Sequence, residues 1–310
     1  MTRIGTSKLD VRPLSLGGNT FGWTSDEAES HRVLDAFVDG GGDFVDTADV
    51  YSAWSDGGAG ISEKIIGTWF AKSGKRDAIV LATKVGMVSG LDHLTADTVR
   101  TAVDASLQRL QTDRIDLYWA HKDDQGTPLE ETLGAFDELV RAGKVRAIGA
   151  SNHSAPRLEQ ALETSRREGF ASYVALQNEY NLVAREDYEG RVADVVAANG
   201  LASVPYSALA SGFLTGKYRP GQSADSVRAG KAGAYLDTPR GQAVLAALDE
   251  VASAHGAPVS AVALAWLTAQ PTVVAPIASA RTPEQLPDLM AALTLELGTD
   301  EVAALERASR

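Results

Sequence analysis

The sequence predicts a closed (β/α)8 barrel, the TIM-barrel fold of the α/β class. It is expected to form one domain over residues 1–310, with an N-terminal β-hairpin and an extra C-terminal helix. Three observations carry that expectation. Short apolar runs alternate with amphipathic helical patterns in eight rounds. A length of 310 residues suits a single α/β barrel. No linker divides the chain, and no G-x-G-x-x-G follows an early strand, which disfavours an open doubly wound sheet.

The opening residues 2–11, with the turn-like Gly5-Thr6-Ser7 inside, read as the hairpin. Strand runs follow at 14–16, 44–46, 78–83, 115–120, 145–150, 173–177, 201–205 and 272–275. Gly17-Gly18-Asn19-Thr20-Phe21-Gly22 is glycine-rich with the wrong spacing for a dinucleotide fingerprint, and reads as a loop at the barrel mouth. Between the runs, Val99, Val103, Leu107 and Leu110 share one helical face, as do Leu129, Leu133, Phe136 and Val140. Start signals accompany the helices: Thr127 with Pro128 and Glu130, Thr24 with Glu27, and Thr282-Pro283 with Gln285. Gly143 reads as a stop. Residues 207–236 form a long irregular segment of the kind that usually carries function, and a last helix is expected at 300–307.

Composition narrows the function classes. A hydrophobic share of 44% with 23% charged residues is that of a soluble chain able to bury a sizeable core. No run approaches the roughly 18 apolar residues of a membrane span, and Met1–Gly5 lacks a signal-like apolar segment. A cytoplasmic protein without membrane association is expected. The absence of cysteine excludes disulfides, thiolate metal sites and a cysteine nucleophile. A net charge of −12 argues against a nucleic-acid partner, and it requires local cations and helix N-termini wherever an anionic cofactor binds.

Four side chains point to a chemistry. The run 44–46 ends in Asp46 and Tyr51 follows on a loop; 78–83 ends at Lys84, and 115–120 at His121. Alternate strand residues face the lumen, so Phe44 with Asp46, Val80 and Ala82 with Lys84, and Leu117 and Trp119 with His121 form three parity sets. If the terminal polar residues face inward, they converge at the carboxyl-end face, where barrel enzymes place their sites. Reducing a carbonyl by hydride creates an alkoxide that needs a proton. Tyr51 can supply it, provided a cation lowers its pKa from about 10. Lys84 is that cation, Asp46 holds it charged and oriented, and a neutral His121, its tautomer fixed by a neighbour, aligns the carbonyl. The hydride must come from a cofactor.

In this order, with Asp46-Thr47-Ala48-Asp49-Val50-Tyr51, Thr83-Lys84-Val85-Gly86 and Asp116-Leu117-Tyr118-Trp119-Ala120-His121, the chain resembles the aldo-keto reductases over nearly its whole length. Gly60-Ile61-Ser62-Glu63-Lys64-Ile65-Ile66-Gly67 is similar to that family's second helix. The resemblance implies that Asp46, Tyr51, Lys84 and His121 are the catalytic set and that the cofactor is NADPH (NADP+). It places Ser151, Asn152 and Gln177 at the nicotinamide carboxamide and Tyr206 against the nicotinamide ring. Ser207, Leu209, Ser211 and Lys217 are assigned to the pyrophosphate, and Thr20 on the mouth loop joins the cofactor contacts. Ser279, Arg281, Gln285 and Asp288 are assigned to the 2′-phosphate and adenine. Arg281 beside a helix N-terminus suits a phosphate; Gln285 is either a contact of this kind or the reciprocal member of a capping box. Two departures stand out: Lys122-Asp123-Asp124 follows His121, and Leu289 occupies a position where many relatives carry Asn.

Trp23, Trp54 and Trp119 are candidate walls of a pocket for small aldehydes and ketones. Two other classes compete with an NADPH-dependent carbonyl reductase. One is an NADP(H)-binding sensor or partner-binding subunit of the same fold, since some relatives serve as channel-associated subunits. The other is a metal-dependent barrel lyase or isomerase, for which no H-x-H or H-E-x-x-H is present.

Overall fold

A computed structural model of the chain describes residues 1–55, 58–219 and 229–310. Part of the long irregular segment, residues 220–228, therefore lies outside the described residues. The chain opens with the expected hairpin, β1 (Thr2–Arg3) and β2 (Asp10–Val11), paired antiparallel. Eight parallel strands follow: β3 (Ser15–Gly17), β4 (Phe44–Asp46), β5 (Val80–Val85), β6 (Ile115–Ala120), β7 (Val145–Ser151), β8 (Tyr173–Gln177), β9 (Ala202–Ser203) and β10 (Ile277–Ala278). They lie in sequence order around the sheet, with β10 beside β3. The Ser203 N–H donates to the Thr272 carbonyl at 2.8 Å, Val274 N–H to Ser203 at 3.0 Å, and Ile277 N–H to Pro205 at 2.9 Å. These bonds join the two edges, so the sheet curls into a barrel.

The eighth strand departs from the sequence expectation. The apolar run 272–275 does contribute to the wall, but only towards β9; the residues paired with β3 are Ile277 and Ala278, and the Ser15 N–H of β3 donates to the Pro276 carbonyl at 3.0 Å. Proline has no N–H to give, so Pro276 joins the bonding to β3 through its carbonyl alone.

Helices α1 (Glu27–Asp39), α2 (Ile61–Ser73), α3 (Ala96–Leu110), α4 (Leu129–Arg141), α5 (Ala155–Glu168) and α6 (Arg191–Ala198) alternate with the strands. After β9 come α7 (Ala229–Leu236), α8 (Pro239–His255) and α9 (Val259–Thr268), then α10 (Leu286–Met290) and the expected terminal helix α11 (Thr299–Ala308). Gly67 sets the spacing of α2 and α3, since a Cβ there would lie 2.1 Å from the Arg109 carbonyl oxygen. Among the described residues no single helix is long and apolar enough to cross a membrane.

Three of the start signals act differently from their reading. Helix α1 is capped by Asp26, whose carboxylate accepts from the Glu29 N–H at 2.8 Å, and Thr24 is not used. Thr127 donates to Asp124 at 2.6 Å and makes no cap to α4. Thr282 caps nothing by its side chain, while Gln285 accepts from the Arg281 N–H at 2.8 Å. Gly143 does end its helix, with φ of +74°.

Two apolar layers result. One fills the space between barrel and helices; the other fills the lumen with Phe44, Ala82, Leu117, Trp119, Ala147, Ala175 and Val204. The inward parity sets are thus those expected. Ile4, Leu9 and Val11 of the hairpin join the lumen cluster and plug the amino-end face. Gly5 permits this approach: it has φ of +52°, and a Cβ would meet the Val174 carbonyl oxygen at 2.0 Å.

Candidate active site

The four expected side chains meet at the carboxyl-end face because β4, β5 and β6 are neighbours in register. Asp46 lies opposite Ala82, and Lys84, two residues further up β5, lies opposite Trp119. Lys84 is buried and its ammonium has three acceptors. It donates to the Asp46 carboxylate, to the Thr47 carbonyl at 2.7 Å and to the Tyr51 hydroxyl at 2.9 Å. Burial alone would lower the lysine pKa, but Asp46 and then Tyr51 outweigh it and leave it raised, so the ammonium stays charged. The second Asp46 oxygen accepts from Gln177 Nε2 at 3.0 Å. Both carboxylate oxygens are therefore fixed, and the lysine with them.

His121 stands beside the phenol, with ring centroids 6.2 Å apart and planes at 74°. Burial, then the like charges of Lys84 and Lys122, hold its pKa well below 6.5. The ring is neutral, as expected. The expected tautomer-fixing neighbour is missing, since Nδ1 is sealed from solvent without a hydrogen-bond partner among the described residues. Its backbone is held instead: the His121 N–H donates to Val85 at 2.9 Å, and its carbonyl accepts from Asn152 Nδ2 at 3.0 Å.

Tyr51 and His121 open onto a cavity of about 640 Å³, within the usual size for a small-molecule or cofactor site. Asp46 and Lys84 lie behind its wall. Every residue expected on the cofactor side lines it: Thr20, Ser151, Asn152, Gln177, Tyr206, Ser207, Leu209, Ser211, Lys217, Ser279, Arg281, Gln285 and Asp288. Several are tied to each other. Tyr206 donates to Asn152 at 2.9 Å, Ser279 to Asn19 at 2.7 Å, and Thr20 to the Ala280 carbonyl at 3.1 Å.

The donor set along this cavity suits an elongated anion. Ser207, Ala210, Ser211 and Gly212 all have positive φ, which curls the backbone into a concave wall. A Cβ on Gly212 would lie 3.4 Å from Lys217 Nζ, so the ammonium sits beside this turn. Arg281 supplies a second cation in the cavity lining.

The tryptophans divide. Trp23 lines the cavity; Trp54, half exposed, packs edge-on to Trp23 at 5.7 Å and lies 6.2 Å from the Tyr51 ring. Trp119 does not reach the cavity. It is fully buried in the lumen, against Gly149, where a Cβ would lie 2.3 Å from its ring. It is two strand residues below His121, a drop of about 6.6 Å, which makes it floor rather than wall. Met87, exposed at 42%, and Asn19 line the cavity without having been singled out by the sequence. Met87 follows β5 by two residues, and that position was the available signal. Among the described residues no group of three or more His, Asp or Glu side chains converges as metal ligands would.

The sequence model of the Aldo/keto reductase family matches residues 13–310. The chain is 36% identical to the uncharacterized oxidoreductase YrpG of Bacillus subtilis (strain 168), over 96% of this chain and 91% of that protein. It is 33% identical to the norsolorinic acid reductase stcV of Emericella nidulans, over 96% and 78% of the two chains. It is 32% identical to the aldo-keto reductase str7 of Strobilurus tenacellus, over 99% and 88%.

Proposed function

The chain belongs to the aldo/keto reductase family, and from that premise we propose that it reduces aldehydes and ketones to alcohols with NADPH as reductant. The observation that carries the reading is the Lys84 ammonium, donating at once to Asp46, the Thr47 carbonyl and the Tyr51 hydroxyl. When bound, NADPH supplies the hydride that no side chain carries.

The chain's own residues do the rest. The neutral His121 ring offers an N–H to the carbonyl oxygen and sets its position beside Tyr51. As negative charge grows on that oxygen, the Tyr51 hydroxyl gives up its proton to it. The Lys84 ammonium at 2.9 Å favours the phenolate left behind. Asp46, clamped by Gln177, keeps the lysine charged and aimed. Ser151, Asn152 and Gln177 would hold the carboxamide, and the Tyr206 ring would pack against the nicotinamide. Ser207, Leu209, Ser211 and Lys217 would take the pyrophosphate; Arg281, with Ser279, Gln285 and Asp288, would take the 2′-phosphate and adenine. Trp23, Trp54 and Met87 give the mouth an apolar rim suited to aromatic carbonyl compounds.

Purified protein mixed with NADPH and an activated aromatic aldehyde should consume cofactor, and Lys84→Met should not. Cofactor binding without consumption above the Lys84→Met control would favour a sensor or partner-binding role instead. Activity that disappears with a chelator would point to metal-dependent chemistry.

A further inference from the structure

A second polar cluster lies behind the Lys84 strand, on the helix-facing side, and the proposed reaction leaves it unused. Asp49 sits between Asp46 and Tyr51 on the loop after β4. It is buried, and neither carboxyl oxygen has a side-chain hydrogen-bond partner among the described residues; the Val50 backbone N–H gives its charged form only partial support. Its backbone N–H donates to the Lys84 carbonyl at 3.3 Å, which ties this loop to the strand carrying the lysine.

The charged groups facing it are Glu63 from α2, Arg109 from α3 and Lys84 from β5. Tyr118 from β6 adds a hydroxyl that is likewise sealed without a partner. Both cations are already engaged. Arg109 Nε donates to Glu63 at 2.6 Å and Lys84 to Asp46; Glu63 also accepts from Thr83 at 2.6 Å. An ionised Asp49 would therefore be a buried negative charge with no cation of its own beside a second carboxylate, which is strongly disfavoured.

We propose that Asp49 is a positioning residue that holds its proton on the acid side of neutrality, and that its ionisation as pH rises slows proton release from Tyr51. The inference rests on the reading of Tyr51 as the proton donor. With Asp49 neutral, the Lys84 ammonium favours the Tyr51 phenolate at 2.9 Å; an ionised Asp49, which faces Lys84, offsets part of that cation's effect. Burial, then repulsion by Glu63, push the Asp49 pKa up to about 7, with Arg109 offsetting part of the rise. The change thus falls in the working range.

The test compares wild type, D49N and E63Q by kcat/KM for aldehyde reduction between about pH 5.5 and 9, and by infrared spectra over the same range. Wild type should lose about three- to tenfold in kcat/KM through a midpoint near 7, a loss that D49N, uncharged at every pH, lacks. E63Q frees Arg109 for Asp49 and should move the midpoint to lower pH. The wild-type spectrum should carry a carboxylic-acid carbonyl band that fades with the same midpoint and is missing from D49N. An unchanged pH profile in D49N, or no acid band that D49N removes, overturns the proposal; if D49N does not fold, an unmoved midpoint in E63Q does the same. No turnover in wild type would overturn the reductase reading and the role assigned through Tyr51. The infrared titration would then still decide whether Asp49 keeps its proton.

Discussion

Three oxygens converge on one ammonium at Lys84, and each constrains what a substitution nearby can do. The sequence made this convergence legible because Asp46, Lys84 and His121 end inward-facing parity sets. It could not show that Gln177 also clamps Asp46, because a strand-end glutamine carries no mark of which neighbour it will meet. Nor could it mark Asp49, whose isolation depends on Arg109 being drawn to Glu63. Arg281→Ala should raise the Kd for NADPH about 10- to 100-fold, the loss of a charged hydrogen bond, and leave NADH nearly unchanged in fluorescence titrations. Equal loss for both would remove Arg281 from the 2′-phosphate. The histidines predict a pH effect on stability. His121 and His153 are both buried with pKa values below 6.5, so as pH falls the unfolded chain takes up protons first. Their contribution is complete above about pH 6.5 and declines below it. Thermal melts should show Tm falling on acidification, and His121→Gln should remove part of that slope.

Strands and helices place these groups through close approaches at glycine. Gly149 gives Trp119 its space in the lumen. Gly149→Ala should therefore overpack the floor, costing about 1–3 kcal/mol, and lower Tm by several degrees in calorimetry. Trp119→Phe in the same background should recover part of the loss. An unchanged melting curve would mean the floor can shift freely. Inward parity was readable for Trp119, but depth along the strand was not, and depth separates a lumen residue from a cavity wall. The eighth strand shows a similar limit. Its apolar run bonds to β9, while the residues paired with β3 are Ile277 and Ala278, just beyond that run. Helix starts were displaced where another partner won: Thr127 bonds Asp124 instead of its own helix.

Closure of the whole molecule converts residues far apart in sequence into one cavity at the carboxyl-end face, with the hairpin sealing the opposite end. The two ends should be separable. Ile4→Ala should cost about 2–5 kcal/mol and lower Tm, yet leave kcat for aldehyde reduction within about twofold, since the site lies at the other end of the barrel. A matching fall in kcat would show that the plug shapes the site. The net charge of −12 is the global background against which Arg281 and Lys217 would attract an anion. The most direct test of the whole arrangement is single-turnover hydride transfer from NADPH to an aromatic aldehyde in Tyr51→Phe. The rate should fall by about 10²- to 10⁴-fold while NADPH binding stays intact. A variant that transfers hydride at the wild-type rate would contradict the account, because proton delivery would then come from elsewhere.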